Sequence, residues 1–202
     1  MRRSAVSLTP AEIDAIMRCP DVQRGKEQID ATPAGSVYLS AALPRDIRQR
    51  MGAALDMPLE TLDTVPMRWI KGDTTPHVDR GGRSFERTHL LYLTDSPGTF
   101  CVGEESYPIT RGSAFVFPEG VRHETRDTGA EPRLMVGPMS EGGFAVGAVV
   151  EIPCCARPDA IKGVDYTRRV DILRGSTLLV GVRRSPMSYE DRMAMIKAAA
   201  AR

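Results

Sequence analysis

"VPMRWIKGDTTPHVDRGG", residues 65–82, joins two unlike pieces of chain. The first is a short β-rich run ended by Gly72-Asp73, the chemistry of a turn. The second carries His77, one of three histidines in the chain, two residues before Asp79, and closes on Gly81-Gly82. Alternate residues of a strand share a face, so His77 and Asp79 point at one spot. A metal ion and an ordinary hydrogen-bonded pair both fit that spacing. H-x-D by itself is common, so the surrounding chain has to decide.

Similar runs recur after Thr64: "HLLYL" (89–93), "TFCVG" (99–103), "SAFVFP" (113–118) and "RLMVG" (133–137), separated by Gly, Pro and Asp. Short strands at this spacing suit a sandwich or barrel rather than alternating β-α units. Upstream, "LTPAEIDAIM" (8–17) predicts a helix, with Thr9 as cap, Pro10 in the first turn and Glu12 completing a T-x-x-E capping box. "LPRDIRQRMGAALDM" (43–57) predicts another, with Ile47, Met51 and Leu55 along one face. Downstream, "RRVDILRGSTLLVGVRR" (168–184) reads as a hairpin around Arg174-Gly175-Ser176. "SPMSYEDRMAMIKAAAAR" (185–202) reads as a helix with Ser188 as a cap. The expected organisation is a helical flank over 1–63, a β core over 64–138, and a hairpin-and-helix extension over 139–202 packed on the core.

The 202 residues are 42% apolar, enough for a packed core, and carry a formal net charge of +1. That balance argues against nucleic acid or an anionic membrane as partner. No apolar run reaches the ~20 residues of a membrane span. The start, "MRRSAVSLTPAEID", lacks the apolar stretch of a signal peptide. Cys154 and Cys155 are adjacent rather than spaced C-x-x-C, which argues against a zinc knuckle. Reduced thiols and a soluble, intracellular setting are the expectation.

The third histidine of interest is His123, in "RGSAFVFPEGVRHETRDTG" (111–129), and "EPRLMVG" (131–137) follows. A hairpin centred near Thr128 would place His123 directly across from Arg133, on one face. Two histidines and a carboxylate form the facial triad of non-haem Fe(II) oxygenases, which leaves positions open for cosubstrate and dioxygen. An arginine beside such a triad suits a carboxylate, whose geometry its planar fork matches. His89 has the opposite strand parity to Tyr92 and is expected to be structural.

"MRWIKGDTTPHVDRG", "ERTHLLYLTD", "RGSAFVFPEGVRHE" and "EPRLMVGPM" together resemble the 2-oxoglutarate/Fe(II) dioxygenases, particularly the prolyl 4-hydroxylase-like branch. The resemblance covers roughly residues 64–138. It implies a mainly β fold with flanking helices, a double-stranded β-helix or jelly roll. It also implies iron held by His77, Asp79 and His123, with Arg133 gripping the distal carboxylate of 2-oxoglutarate and Tyr92 helping to hold it. Trp69 stands where the family has a tyrosine in the preceding strand, so the resemblance puts it at the cosubstrate pocket floor; read from the residues alone, core packing and lining the pocket are both open for this single tryptophan. The implied activity is hydroxylation of an unidentified small-molecule or protein substrate. The loop Asp79–Phe85, with Arg80 and Arg83 around Gly81-Gly82, and the strand of Trp69 are the expected approach for that substrate; a solvated turn is the other reading of the loop.

Gly112, Pro118, Gly120 and His123 also resemble the second cupin motif, which implies the same jelly roll with metal and no 2-oxoglutarate. Asp79, where a cupin has the second histidine of H-x-H, and Arg133 both favour the dioxygenase. A non-catalytic jelly roll used for binding or assembly is the third reading.

Overall fold

The computed structural model describes residues 1–80, 85–153, 164–172 and 176–183. The expected C-terminal helix over 185–202 and the loop residues 81–84 lie outside them. Among the described residues no helix is long and apolar enough to cross a membrane.

The architecture is mainly β, with flanking helices. The central strands are β3 (Val65–Lys71), β4 (Thr74–Arg80), β5 (Arg87–Tyr92), β6 (Thr99–Val102), β7 (Glu105–Pro108), β8 (Ser113–Pro118), β9 (His123–Arg126) and β10 (Arg133–Met139). They divide between two sheets, β8-β5-β10-β3 and β4-β9-β6-β7. Successive strands mostly switch sheets, which is the jelly-roll arrangement of a double-stranded β-helix. Strands β1 (Arg2–Ala5) and β2 (Gly35–Ala41) extend the first sheet at its two edges. So residues 1–63 supply strands as well as helices. β11 (Gly147–Pro153), β13 (Ser176–Arg183) and β12 (Val164–Ile172) extend the second sheet beyond β4, and β12 and β13 pair antiparallel.

Three helices, α1 (Pro10–Met17), α2 (Pro20–Asp30) and α3 (Arg45–Leu55), cover the outer face of the first sheet. The Thr9–Glu12 capping box at α1 forms as its spacing predicts. Ile47, Met51 and Leu55 of α3 are buried, and the helix ends at Asp56 in the left-handed conformation, φ 59°. This cover explains why the first sheet's strands are apolar on both faces. On β3, Val65, Met67 and Trp69 pack with the helices, while Ile70 packs with Leu90, Tyr92, Phe115 and Met135 inside the barrel.

One expected feature is absent. β9 and β10 do not form a hairpin: β9 pairs with β4 and β6, and β10 with β3 and β5. The chain instead crosses between sheets at Asp127 (φ 58°) and Gly129 (φ 68°). The buried Thr128 donates from its backbone N–H and its hydroxyl to the Asp73 carboxylate, at 2.9 and 2.8 Å. That anchor turns the corner. Although burial opposes it, the Thr128 bonds and the nearby Arg133 charge hold the Asp73 carboxyl below its ordinary range.

Candidate metal centre

β4 and β9 are neighbours in the second sheet, with His77 directly opposite His123. Strand alternation then sets Asp79 on the same inward face as His77. One ligand atom from each of the three residues lies within 4.8 Å of the others, and all three residues are buried. His123 Nε2 is 3.4 Å and His77 Nε2 is 4.0 Å from the Asp79 carboxylate. The two rings sit 4.2 Å apart, centroid to centroid.

Each imidazole is oriented by its own backbone. His77 Nδ1–H donates to the Thr75 carbonyl at 2.6 Å, and His123 Nδ1–H to the Val121 carbonyl at 3.0 Å. With the proton on Nδ1, the neutral ring keeps its lone pair on Nε2, the nitrogen turned toward Asp79. This is how metal-ligating histidines are ordinarily fixed. Asp79 is 1% exposed, and among the described residues neither carboxylate oxygen has a hydrogen-bond partner. Leaving a buried carboxylate unsatisfied is costly. Two imidazole nitrogens and that carboxylate make a donor set that fits a divalent transition metal. Phe117 and Phe100 pack on the His123 ring at 4.9 and 5.9 Å and keep the floor of the site apolar.

Arg133 approaches from the opposite sheet, not from across a hairpin. It pairs with Ile70 of β3 and is 0% exposed. Nη1–H donates to the Gly72 carbonyl at 2.9 Å and Nη2–H to the Thr125 hydroxyl oxygen at 2.7 Å, while Nε has no partner among the described residues. The Thr125 hydroxyl in turn donates to Thr74 Oγ1 at 3.1 Å. So Arg133 is braced by the strands that carry the histidines. No salt bridge among the described residues includes it. Tyr92 faces the same interior. Burial pushes its phenol up to about 12, with Arg133 and Arg68 pulling the other way. At neutral pH the phenol keeps its proton and can donate.

Trp69 is a correction. It does not line the site: it packs with the helix-side core, its Nε1–H donates to the Val22 carbonyl of α2 at 3.0 Å, and Lys26 lies over its ring. The neighbouring Arg68 faces inward instead, with Ile70. Its signal was a lone charge at alternate parity to Val65, Met67 and Trp69. His89 faces away from the site as expected, Nδ1–H donating to the Leu55 carbonyl at 2.8 Å. The Arg80 and Arg83 side chains lie outside what the structure describes.

No family model matches this sequence, and no curated protein does. Solved structures match at low identity. A Pseudomonas putida prolyl-4-hydroxylase is 16% identical over 67% of this chain and 88% of its own, with a TM-score of 0.41. A salicylate 1,2-dioxygenase from Pseudaminobacter salicylatoxidans is 12% identical over 36% of this chain, with a TM-score of 0.29. This chain spans about a fifth (19%) of that dioxygenase's length. An RmlC-like cupin protein from Desulfovibrio desulfuricans is 18% identical over 36% of this chain and 68% of its own, with a TM-score of 0.26.

Proposed function

We propose that this protein is an Fe(II)- and 2-oxoglutarate-dependent dioxygenase that hydroxylates a substrate carbon. The observation that carries the reading is the buried, unpartnered Asp79 carboxylate between two oriented imidazoles, with the buried Arg133 on the facing sheet. His77, Asp79 and His123 would hold the iron. Bound iron supplies the oxidation of a C–H bond to C–OH by dioxygen, coupled to conversion of 2-oxoglutarate to succinate and carbon dioxide.

The chain's own residues bind and orient. The Nε edge of Arg133, left over from its bonds to Gly72 and Thr125, suits one carboxylate of the cosubstrate. The protonated Tyr92 phenol can donate to the same group. Thr125 and Thr74 hold the guanidinium in place. Phe100, Phe115 and Phe117 are buried and exclude water from the histidine side of the site.

The test is calorimetric binding of 2-oxoglutarate to the metal-loaded protein, together with succinate formation after addition of Fe(II). Binding and slow succinate release are expected even without a primary substrate. Metal binding with neither would overturn the reading and favour a cupin-type metal protein.

A further inference from the structure

The inner face of β3 carries a second arginine that the proposed cosubstrate site does not use. Arg68 lies in register between Tyr38 of β2 and Met135 of β10 and is 4% exposed. Its guanidinium stacks on the Tyr38 ring, 4.5 Å from the centroid. Nη2–H reaches the Val146 carbonyl at a long 3.3 Å. Among the described residues Nε–H has no hydrogen-bond partner, and neither does the buried Tyr38 hydroxyl. No salt bridge among the described residues includes Arg68. A buried guanidinium without a counter-charge is unfavourable, and an unsatisfied hydroxyl beside it adds to the cost.

Arg68 and Tyr38 border a cavity of about 230 Å³, lined also by Ser40, Pro66, Gly137 and Ala145. Ser40 and Ala145 are exposed, so the cavity opens to solvent at the β2 edge. Arg68 lies directly opposite Met135, and Met135 directly opposite Tyr92, so Arg68 and Tyr92 share the inner face of the first sheet. The space exceeds the roughly 150 Å³ that accommodates benzene in an engineered protein cavity. A planar guanidinium fork with one hydroxyl matches a carboxylate. Arg133 is 0% exposed, whereas the cavity that Arg68 borders is open to solvent beside Ser40 and Ala145.

We propose that Arg68 and the Tyr38 hydroxyl form a carboxylate-binding subsite for the primary substrate. The substrate is then a small organic acid, anchored at the β2–β3 edge and directed toward His77, Asp79 and His123. This rests on the proposed function above.

The probe is benzoate, with benzamide as its uncharged control, titrated calorimetrically into Mn(II)-loaded protein saturated with 2-oxoglutarate. Benzoate should bind about tenfold tighter or more, the size of a charged hydrogen bond. Arg68→Met should abolish that preference, and Tyr38→Phe should weaken benzoate severalfold, both leaving 2-oxoglutarate affinity unchanged. The wild-type comparison and Tyr38→Phe keep the test informative should Arg68→Met fold poorly. Equal binding of benzoate and benzamide by the wild type overturns the proposal. So does a preference that survives in Arg68→Met. Loss of 2-oxoglutarate affinity in Arg68→Met, with benzoate displaced by 2-oxoglutarate, assigns Arg68 to the cosubstrate and also overturns it. A protein that ignores 2-oxoglutarate yet selects benzoate through Arg68 sinks the dioxygenase reading and leaves the subsite standing.

Discussion

Asp79→Asn should make the metal-free protein more stable while it destroys the metal site. In the apo protein the Asp79 carboxylate is 1% exposed, and both oxygens lack hydrogen-bond partners among the described residues. His123 Nε2 and His77 Nε2, 3.4 and 4.0 Å away, carry lone pairs when the rings are neutral, so lone pairs face a negative charge. An asparagine amide is the same size, carries no charge, and can donate to one of those nitrogens. Relief of one buried unsatisfied group is worth about 1–3 kcal/mol. For a chain of this length that corresponds to a rise in Tm of about 2–12 °C. Metal has the opposite pattern. At 100 times its Kd it stabilises the wild type by about 2.7 kcal/mol, or roughly 5–11 °C. The assay is thermal unfolding at about pH 8, above the ordinary histidine range, in chelator and in excess Mn(II). The expected result is an apo Tm above wild type for Asp79→Asn, with no metal-induced shift. An apo variant less stable than wild-type apo protein would refute the account of Asp79 as an unsatisfied carboxylate. A retained metal shift would refute its role as a ligand.

Arg133→Met should weaken 2-oxoglutarate binding by about tenfold or more, from the loss of a charged hydrogen bond, and leave Mn(II) affinity nearly unchanged. Calorimetry reads both, and an unchanged cosubstrate affinity removes Arg133 from the site. Trp69→Phe should cost about 1–3 kcal/mol in denaturant unfolding, from lost packing and its bond to Val22, with 2-oxoglutarate affinity intact. A large drop in that affinity would return Trp69 to the pocket. Burial, despite the Leu55 carbonyl bond, holds His89 below its ordinary pKa of 6.5. The unfolded chain therefore takes up the proton first. Stability is fully present above 6.5 and falls as pH drops from there toward the folded value. Unfolding free energies measured between pH 8 and 5 should show this slope, and His89→Leu should flatten it.

Local chemistry made several parts legible in the sequence. A capping box satisfies N–H groups within one helical turn, so the start of α1 could be read from Thr9, Pro10 and Glu12. Four-residue spacing marked the buried face of α3. Strand parity put His77 and Asp79 on one face, because that relation spans only two residues. The Gly- and Pro-bounded runs indicated short strands folded into a sandwich or barrel.

What needed the tertiary structure was every relation between distant strands. The register of β4 on β9, which sets His77 against His123, is made by residues 46 positions apart. The approach of Arg133 depends on a corner at Asp127–Gly129 whose anchor, Asp73, lies far upstream; local turn residues alone suggested a hairpin. Trp69 and Arg68 show the limit most directly. Alternation says that neighbours on a strand face opposite ways, but not which way is inward. That choice is normally signalled by one polar face. Here helices cover the outside of the sheet and the barrel buries the other side, so both faces of β3 are sequestered from water and only the packed structure tells them apart.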